Sequence, residues 1–299
     1  MTILALEIGA DRFAAVQVAD GVGADEIRTV PVPDRAAWDR CAEILLDAAE
    51  GGEVTGVGIA SIGPIDMSAG VVAPAHVAEW RMGFGIVEAV QKLFPQADVQ
   101  LALDGVCLAL AEQQFGATAE VMDALSMRVS DQVSGGVMVG GFVVVGRTGN
   151  AGHIGHVLVP GFDDPCECGG RGCLAAVAGG RSLLRWAADR GWSGASLEAL
   201  VEAAGNGEDV AVAAISRAGT ALGRAISSVA ALLDIDLVVI GGTVAEAGPV
   251  LWKPLGEAIA THARLTSLSS LRAIPSELGA VGVIAGAGVL ALSAVSSGD

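Results

Sequence analysis

The chain has no tyrosine, and its aromatic fraction is only 4%. Alanine and glycine dominate in their place, with 42 glycines, a composition suited to close packing of helix on sheet and to turns near strand ends. Positive charge is scarce. Lysine and arginine together number 17 against 34 acidic residues, and the only lysines are Lys92 and Lys253. The formal net charge of −17 makes a surface that repels nucleic acid and anionic membrane, which excludes a phosphate-backbone partner. Charge of either sign is low at 17%, beside a hydrophobic fraction of 52%. A disordered chain has the opposite balance.

A secretory signal is also lacking. Glu7 and Asp11 interrupt the N-terminus early, and no basic segment precedes an apolar run. Residues 278–295 are uncharged and long enough to test as a membrane span. They are mostly glycine, alanine and valine with no basic flank, so a buried C-terminal helix is the expectation. The chain reads as soluble and cytoplasmic.

What is present alternates. Residues 3–8 and 13–18 read as strands about the turn Gly9-Ala10-Asp11. Helical spacing follows at 34–49, a buried strand at 54–60, a helix at 86–94, a strand at 99–103 and a helix at 105–115. A second series has strands at 124–129 and 137–145 around a loop at 130–136. Helical patterns follow at 180–204 and 210–233, with a buried strand at 237–240 turned by Gly241-Gly242-Thr243. This predicts an α/β protein of two units: a smaller one from 1–116 with 278–299, and a larger one from 117–277. No low-complexity linker separates them, which predicts a hinge with a cleft.

Five cysteines are spread as Cys41, Cys107, Cys166, Cys168 and Cys173. The last three, with His156, form Gly-His, nine residues, then Cys-x-Cys-Gly-Gly-x-Gly-Cys. Three thiolates and an imidazole match a closed tetrahedral zinc site, which stabilises folding rather than performing chemistry. Gly169, Gly170 and Gly172 let the backbone curl so that the sulfurs converge. The bland alternative is a set of buried, inert thiols. Cys41 and Cys107 sit in helical patterns and read as small core hydrophobes.

The segment Ala151-Gly152-His153-Ile154-Gly155-His156 with Cys166-Glu167-Cys168-Gly169-Gly170-Arg171-Gly172-Cys173-Leu174 resembles the zinc signature of the ROK family of sugar kinases and repressors. Other segments fit in order: 4–10 resembles its first phosphate loop, Leu103-Asp104 its catalytic pair, 130–137 its second phosphate loop and 238–245 its adenosine segment. The resemblance implies two RNase-H-like domains, as in actin and hexokinase, around a central cleft, with the zinc loop in the larger domain.

Residue by residue, the resemblance implies Asp104 as general base toward a sugar hydroxyl, where an N-cap role alone would also explain an aspartate at a helix mouth. It implies sugar contacts from His76, Asp104, His153 and His156, although His153 also suits a loop histidine satisfied by backbone. Nucleotide contacts fall to Gly9, Gly135, Gly136, Gly241 and Gly242. Zinc falls to His156, Cys166, Cys168 and Cys173, and ATP with Mg²⁺ are the cosubstrate and cation. A homodimer is implied as well. Family repressors carry a helix-turn-helix before the first phosphate loop; here that loop begins at residue 4, so a DNA-binding regulator is not expected.

Several positions depart from the family pattern. Glu7-Ile8-Gly9-Ala10-Asp11 stands for Asp-x-Gly-Gly-Thr, and both threonines of the phosphate loops become aspartate, Asp11 and Asp131. Like charges about 4 Å apart repel by roughly 4 kcal/mol at an effective dielectric near 20, unless Mg²⁺ takes the carboxylates as ligands. Leu103 replaces an asparagine, and Ala175 a sugar-binding glutamate. Two readings follow: an ATP-dependent sugar kinase, or a catalytically impaired pseudokinase that binds a small ligand or a protein.

Overall fold

The computed structural model describes residues 2–18 and 26–297. The chain divides into two compact units of nearly equal size: Met1–Glu120 with Val143–Gly152 and Leu278–Asp299, and Val121–Phe142 with His153–Glu277. The expected smaller and larger domains are therefore corrected, and so is the unbroken span 117–277. Val143–Gly152 joins the first unit because it is stitched there. The Asn150 side chain accepts the Ile65 N–H at 2.9 Å and donates to the Ile65 carbonyl at 2.6 Å. Beside it Gly149, at φ +93°, lets the backbone close on Ile65 and Met67.

In the first unit, strands β1 (Thr2–Ile8), β2 (Arg12–Val18), β3 (Arg28–Pro31), β4 (Val54–Ser61) and β7 (Asp98–Leu103) form one sheet in the order β3-β2-β1-β4-β7. A small hairpin, β5 (Ile65–Asp66) and β6 (Val71–Val72), lies between β4 and β7 in sequence. The first three strands pair antiparallel, whereas β1, β4 and β7 run parallel. The central strands are apolar on both faces, as strands covered by helices must be. Helix α1 (Ala37–Ala49) buries Ala37, Cys41, Ile44, Leu45 and Ala48, a stripe of helical period. Its start is held from outside: the Glu79 carboxylate accepts the N–H groups of Ala36 and Ala37. Helices α2 (Ile86–Leu93) and α3 (Asp104–Phe115) flank β7 in sequence.

The second unit repeats the plan. Strands β8 (Ala124–Val129), β9 (Val133–Val139), β10 (Phe142–Val143), β11 (Leu237–Gly241) and β12 (Arg272–Pro275) form a sheet in the order β10-β9-β8-β11-β12. β8 and β9 are antiparallel, and β8, β11 and β12 are parallel. Its helices are α4 (Leu174–Ala178), α5 (Gly180–Ala188), α6 (Leu197–Gly205), α7 (Asp209–Leu233) and α8 (Pro249–His262). The helix expected over 180–204 is two helices. Gly191 takes φ +89°, and Ser196 starts α6 by accepting the Ala199 N–H.

The last helix, α9 (Gly282–Ser297), buries Val283, Ile284, Ala287 and Ala291 within the first unit. Gly286 lies directly on α3, so close that a β-carbon there would stand 1.7 Å from the Cys107 carbonyl oxygen. Among the described residues no helix is long and apolar enough to cross a membrane.

Candidate functional site

In each unit some of the candidate residues leave the carboxyl ends of parallel strands, where open α/β sheets present ligand-binding loops. In the first unit Ile8, Ser61 and Leu103 share one register row across β1, β4 and β7. Gly9, Ile62 and Asp104 therefore emerge together at one sheet edge. Gly9 donates to the Arg12 carbonyl at 3.0 Å, closing the β1–β2 turn, and a β-carbon at Gly9 would come 2.9 Å from that oxygen. Asp11 is exposed at the turn.

Asp104 is the first residue of α3 and only 8% exposed. Its Oδ1 accepts the Gly105 N–H at 2.8 Å, so the carboxylate is held at the helix mouth. The N-cap proper is Leu103, which makes no side-chain cap and is itself core. Burial and then the charges of Asp104 and Glu7 raise the Cys107 thiol well above its ordinary range, which keeps it protonated and inert. Cys41 is likewise pushed up to about 12 by burial. His76 lies in the same unit, half-buried in the turn where Val77 donates to Pro74.

In the second unit the β8–β9 loop is short. It is Ser130-Asp131-Gln132, and the Ser130 N–H bonds the Gln132 carbonyl across it. The loop expected at 130–136 is corrected accordingly: Gly135 and Gly136 lie inside β9, paired with Met127 and Ser126. Gly135 is needed there for packing, because a β-carbon would meet Ile154 Cγ2 at 2.8 Å and the Ser126 carbonyl at 3.0 Å. Two further segments close on the loop. Gly180 and Arg181, at the start of α5, donate to the carbonyls of Ser130 and Asp131. Gly242, at φ +93°, turns β11 so that the Thr243 N–H reaches Ser130 Oγ at 3.2 Å. Gly241 packs on Ser276, just past β12. The Gly179-Gly180-Arg181 and Ser276 contributions escaped the sequence reading. The glycine pair before a helical run was the available signal; Ser276 gave none.

The metal-binding candidates converge. The ligand atoms of His156, Cys166, Cys168 and Cys173 all lie within 4.8 Å of one another. Cys168 Sγ stands 3.8 Å from Cys173 Sγ, and Cys166 Sγ stands 3.7 Å from His156 Nδ1. A tetrahedral zinc with Zn–S near 2.3 Å and Zn–N near 2.0–2.1 Å requires separations of about 3.8 and about 3.6 Å. The donor set therefore fits such an ion. Local sequence explains the convergence: Cys166 donates to Gly170, Gly169 donates back to Cys166, and Gly169 and Gly172 take φ of +87° and +72°. Burial and the two neighbouring thiols push the Cys173 thiol up to about 12. Opposite it, the Gly170 N–H lowers Cys168.

His156 ends a short 3-10 turn, Ile154–His156, and His153 begins it. Their rings stack with centroids 5.3 Å apart, and burial, then His156, lowers the His153 pKa. His153 Nδ1 is buried without a hydrogen-bond partner. Ala175 follows in α4, half-buried against Gly155.

The chain is 36% identical to a glucokinase of Aeropyrum pernix over 212 residues, spanning 64% of this chain and 66% of that protein. It is 33% identical to an N-acetylmannosamine kinase of Escherichia fergusonii over 247 residues, spanning 82% and 84%. The crystal structure of a ROK hexokinase from Thermus thermophilus superposes with a TM-score of 0.82 at 29% identity, covering 99% of this chain and all of that one. It carries the same α/β sugar-kinase fold, of the actin and hexokinase kind. The model of the ROK family matches residues 3–294, and the chain belongs to that family.

Proposed function

We propose that this chain is an ATP-dependent sugar kinase that transfers the terminal phosphoryl group of ATP to a hydroxyl of a hexose-type sugar. The observation that carries the reading is Asp104, a buried carboxylate held at the carboxyl end of β7 in a chain whose family relatives are named glucokinase and N-acetylmannosamine kinase. Phosphoryl transfer to an alcohol needs positioning and a carboxylate to accept the hydroxyl proton. The reading assigns the hydroxyl proton to the Asp104 carboxylate, which the Gly105 N–H holds in place through Oδ1.

His76, His153 and His156 are assigned to sugar hydroxyls. The unpartnered Nδ1 of His153 supports that assignment, since a sugar hydroxyl would satisfy it. The turn at Gly9 and the cluster of Ser130, Gly241 and Gly242 are assigned to ATP, whose phosphates approach backbone N–H groups most closely at glycine. Asp11 and Asp131 are the side chains assigned to Mg²⁺, which with ATP neutralises phosphate charge. Bound zinc would act structurally: on His156, Cys166, Cys168 and Cys173 it fixes the His156 ring by Nδ1 and leaves Nε2 for the sugar. A cytoplasmic homodimer is part of the same reading. The impaired binding module is not favoured, because the relatives matched over 82% of the chain are named as kinases.

The test is ADP release from ATP and Mg²⁺ over a panel that includes glucose, mannose, N-acetylmannosamine and N-acetylglucosamine. Turnover on at least one sugar is expected. No turnover on any, with no calorimetric heat from ATP, overturns the reading.

A further inference from the structure

The metal loop is fastened to α7 by a second group of residues away from its four ligands. Arg217, on α7, is half-buried and pairs Nη2 with Asp164 Oδ2 at 2.5 Å. Its Nη1 reaches the Val177 carbonyl, at the end of α4, at 3.5 Å. The guanidinium lies over the Phe162 ring at 5.0 Å and the Trp186 ring at 5.6 Å. Two turns along the same helix, Arg224 donates to the Pro160 carbonyl at 2.6 Å and lies over the Phe162 ring at 5.4 Å. Phe162 is thus held by two cations of one helix face, and such contacts strengthen as they are desolvated.

Asp164 is also a strut of the loop. Its carbonyl accepts the Gly172 N–H at 2.9 Å, and the next rung pairs Pro165 with Arg171. These rungs join the segment entering Cys166 to the segment entering Cys173. Through Asp164, Arg217 therefore grips the loop at the point that sets the spacing of those two sulfurs. We infer that Arg217 is a positioning residue for the metal centre: its pair with Asp164, stacked on Phe162, holds the Cys166 and Cys173 sulfurs at the separation that retains zinc. The inference builds on the metal reading given above.

The experiment measures zinc content of the full chain, then the rate at which loaded protein gives up zinc to an excess of a chromophoric chelator, well below the melting temperature. Arg217→Met and Asp164→Asn are expected to release zinc about tenfold faster or more, the scale on which supporting groups act on metal affinity. Arg217→Lys should fall between them and wild type, because it keeps charge but loses the planar fork. Arg190→Met removes a guanidinium stacked on Trp186 at the surface and should leave release unchanged. Release at the wild-type rate from both Arg217→Met and Asp164→Asn overturns the inference alone. Equal acceleration in Arg190→Met overturns it too, since the effect would then be general loosening. Wild-type chain purified in the presence of zinc that holds none overturns the metal reading, and the inference with it. If Arg217→Met does not fold, Asp164→Asn decides.

Discussion

Ser130 Oγ accepts the backbone N–H of Thr243 at 3.2 Å, joining the loop after β8 to the turn after β11. The contact is possible because Gly242 has no β-carbon. One there would stand 2.6 Å from Ser130 Oγ and 2.6 Å from the Val129 carbonyl, at a φ of +93°. Gly242→Ala should separate the two segments and raise the KM for ATP by about tenfold or more, at a strain cost of about 1–3 kcal/mol. Ser130→Ala removes one hydrogen bond worth about 1 kcal/mol, roughly a fivefold rise in the same KM. Initial rates against ATP and against sugar check both; a rise confined to the sugar KM contradicts the nucleotide assignment.

Asp104→Asn keeps an oxygen to accept the Gly105 N–H but loses the base. The expected result is a fall in kcat of about 10² to 10⁴-fold, with the melting temperature close to that of wild type. Coupled assay and calorimetry on the same preparation give both numbers. Undiminished turnover would leave Asp104 as a helix-mouth residue only.

Glu79 gives a pH-dependent contact. The N–H groups of Ala37 and Ala36 hold its carboxylate below the ordinary glutamate value of 4.5. A group whose folded pKa is depressed contributes stability that is complete above the unfolded value and disappears as pH falls through the folded one. Wild type should therefore melt higher than Glu79→Gln at pH 6–7. The gap should shrink below pH 4.5 and close in stronger acid. Thermal melts of both proteins across that range measure it; a gap independent of pH would mean that the carboxylate charge is not what holds α1.

Three helix glycines separate packing from propensity. Gly286→Ala drives a methyl into the Cys107 carbonyl, where backbone cannot give way, and should destabilise by about 3 kcal/mol. Gly282→Ala meets the movable end of Leu108 at 3.0 Å and Leu278 at an ordinary 3.4 Å, and should be mild. Gly256→Ala, with nothing within 4 Å, should stabilise by about 0.5–1 kcal/mol through helix propensity. Denaturant melts of the three rank them.

Much of the fold was legible because its signals are local. The apolar run 3–8 and the turn at Gly9 became β1 and the start of β2, and Val238-Val239-Ile240 became the buried centre of β11. Where sequence reading slipped, a local signal was ambiguous. Residues 133–136 read as loop because they are rich in glycine and serine, yet they pair with β8, and Gly135 leaves the space that Ile154 fills.

The sequence alone determined the alternation of strand and helix, the net acidic charge and the clustered His156, Cys166, Cys168 and Cys173 that could hold a metal ion, since period, composition and short spacing are properties of neighbouring residues. Only the tertiary structure decided that Val143–Gly152 belongs with the first unit, that Thr243 meets Ser130, and that Arg217 grips Asp164. Those pairings join residues 53 and 113 positions apart. Nothing in either local segment encodes its partner. The partner is chosen when parallel strands align their carboxyl ends and a buried polar group takes the donor or acceptor that the packing brings to it.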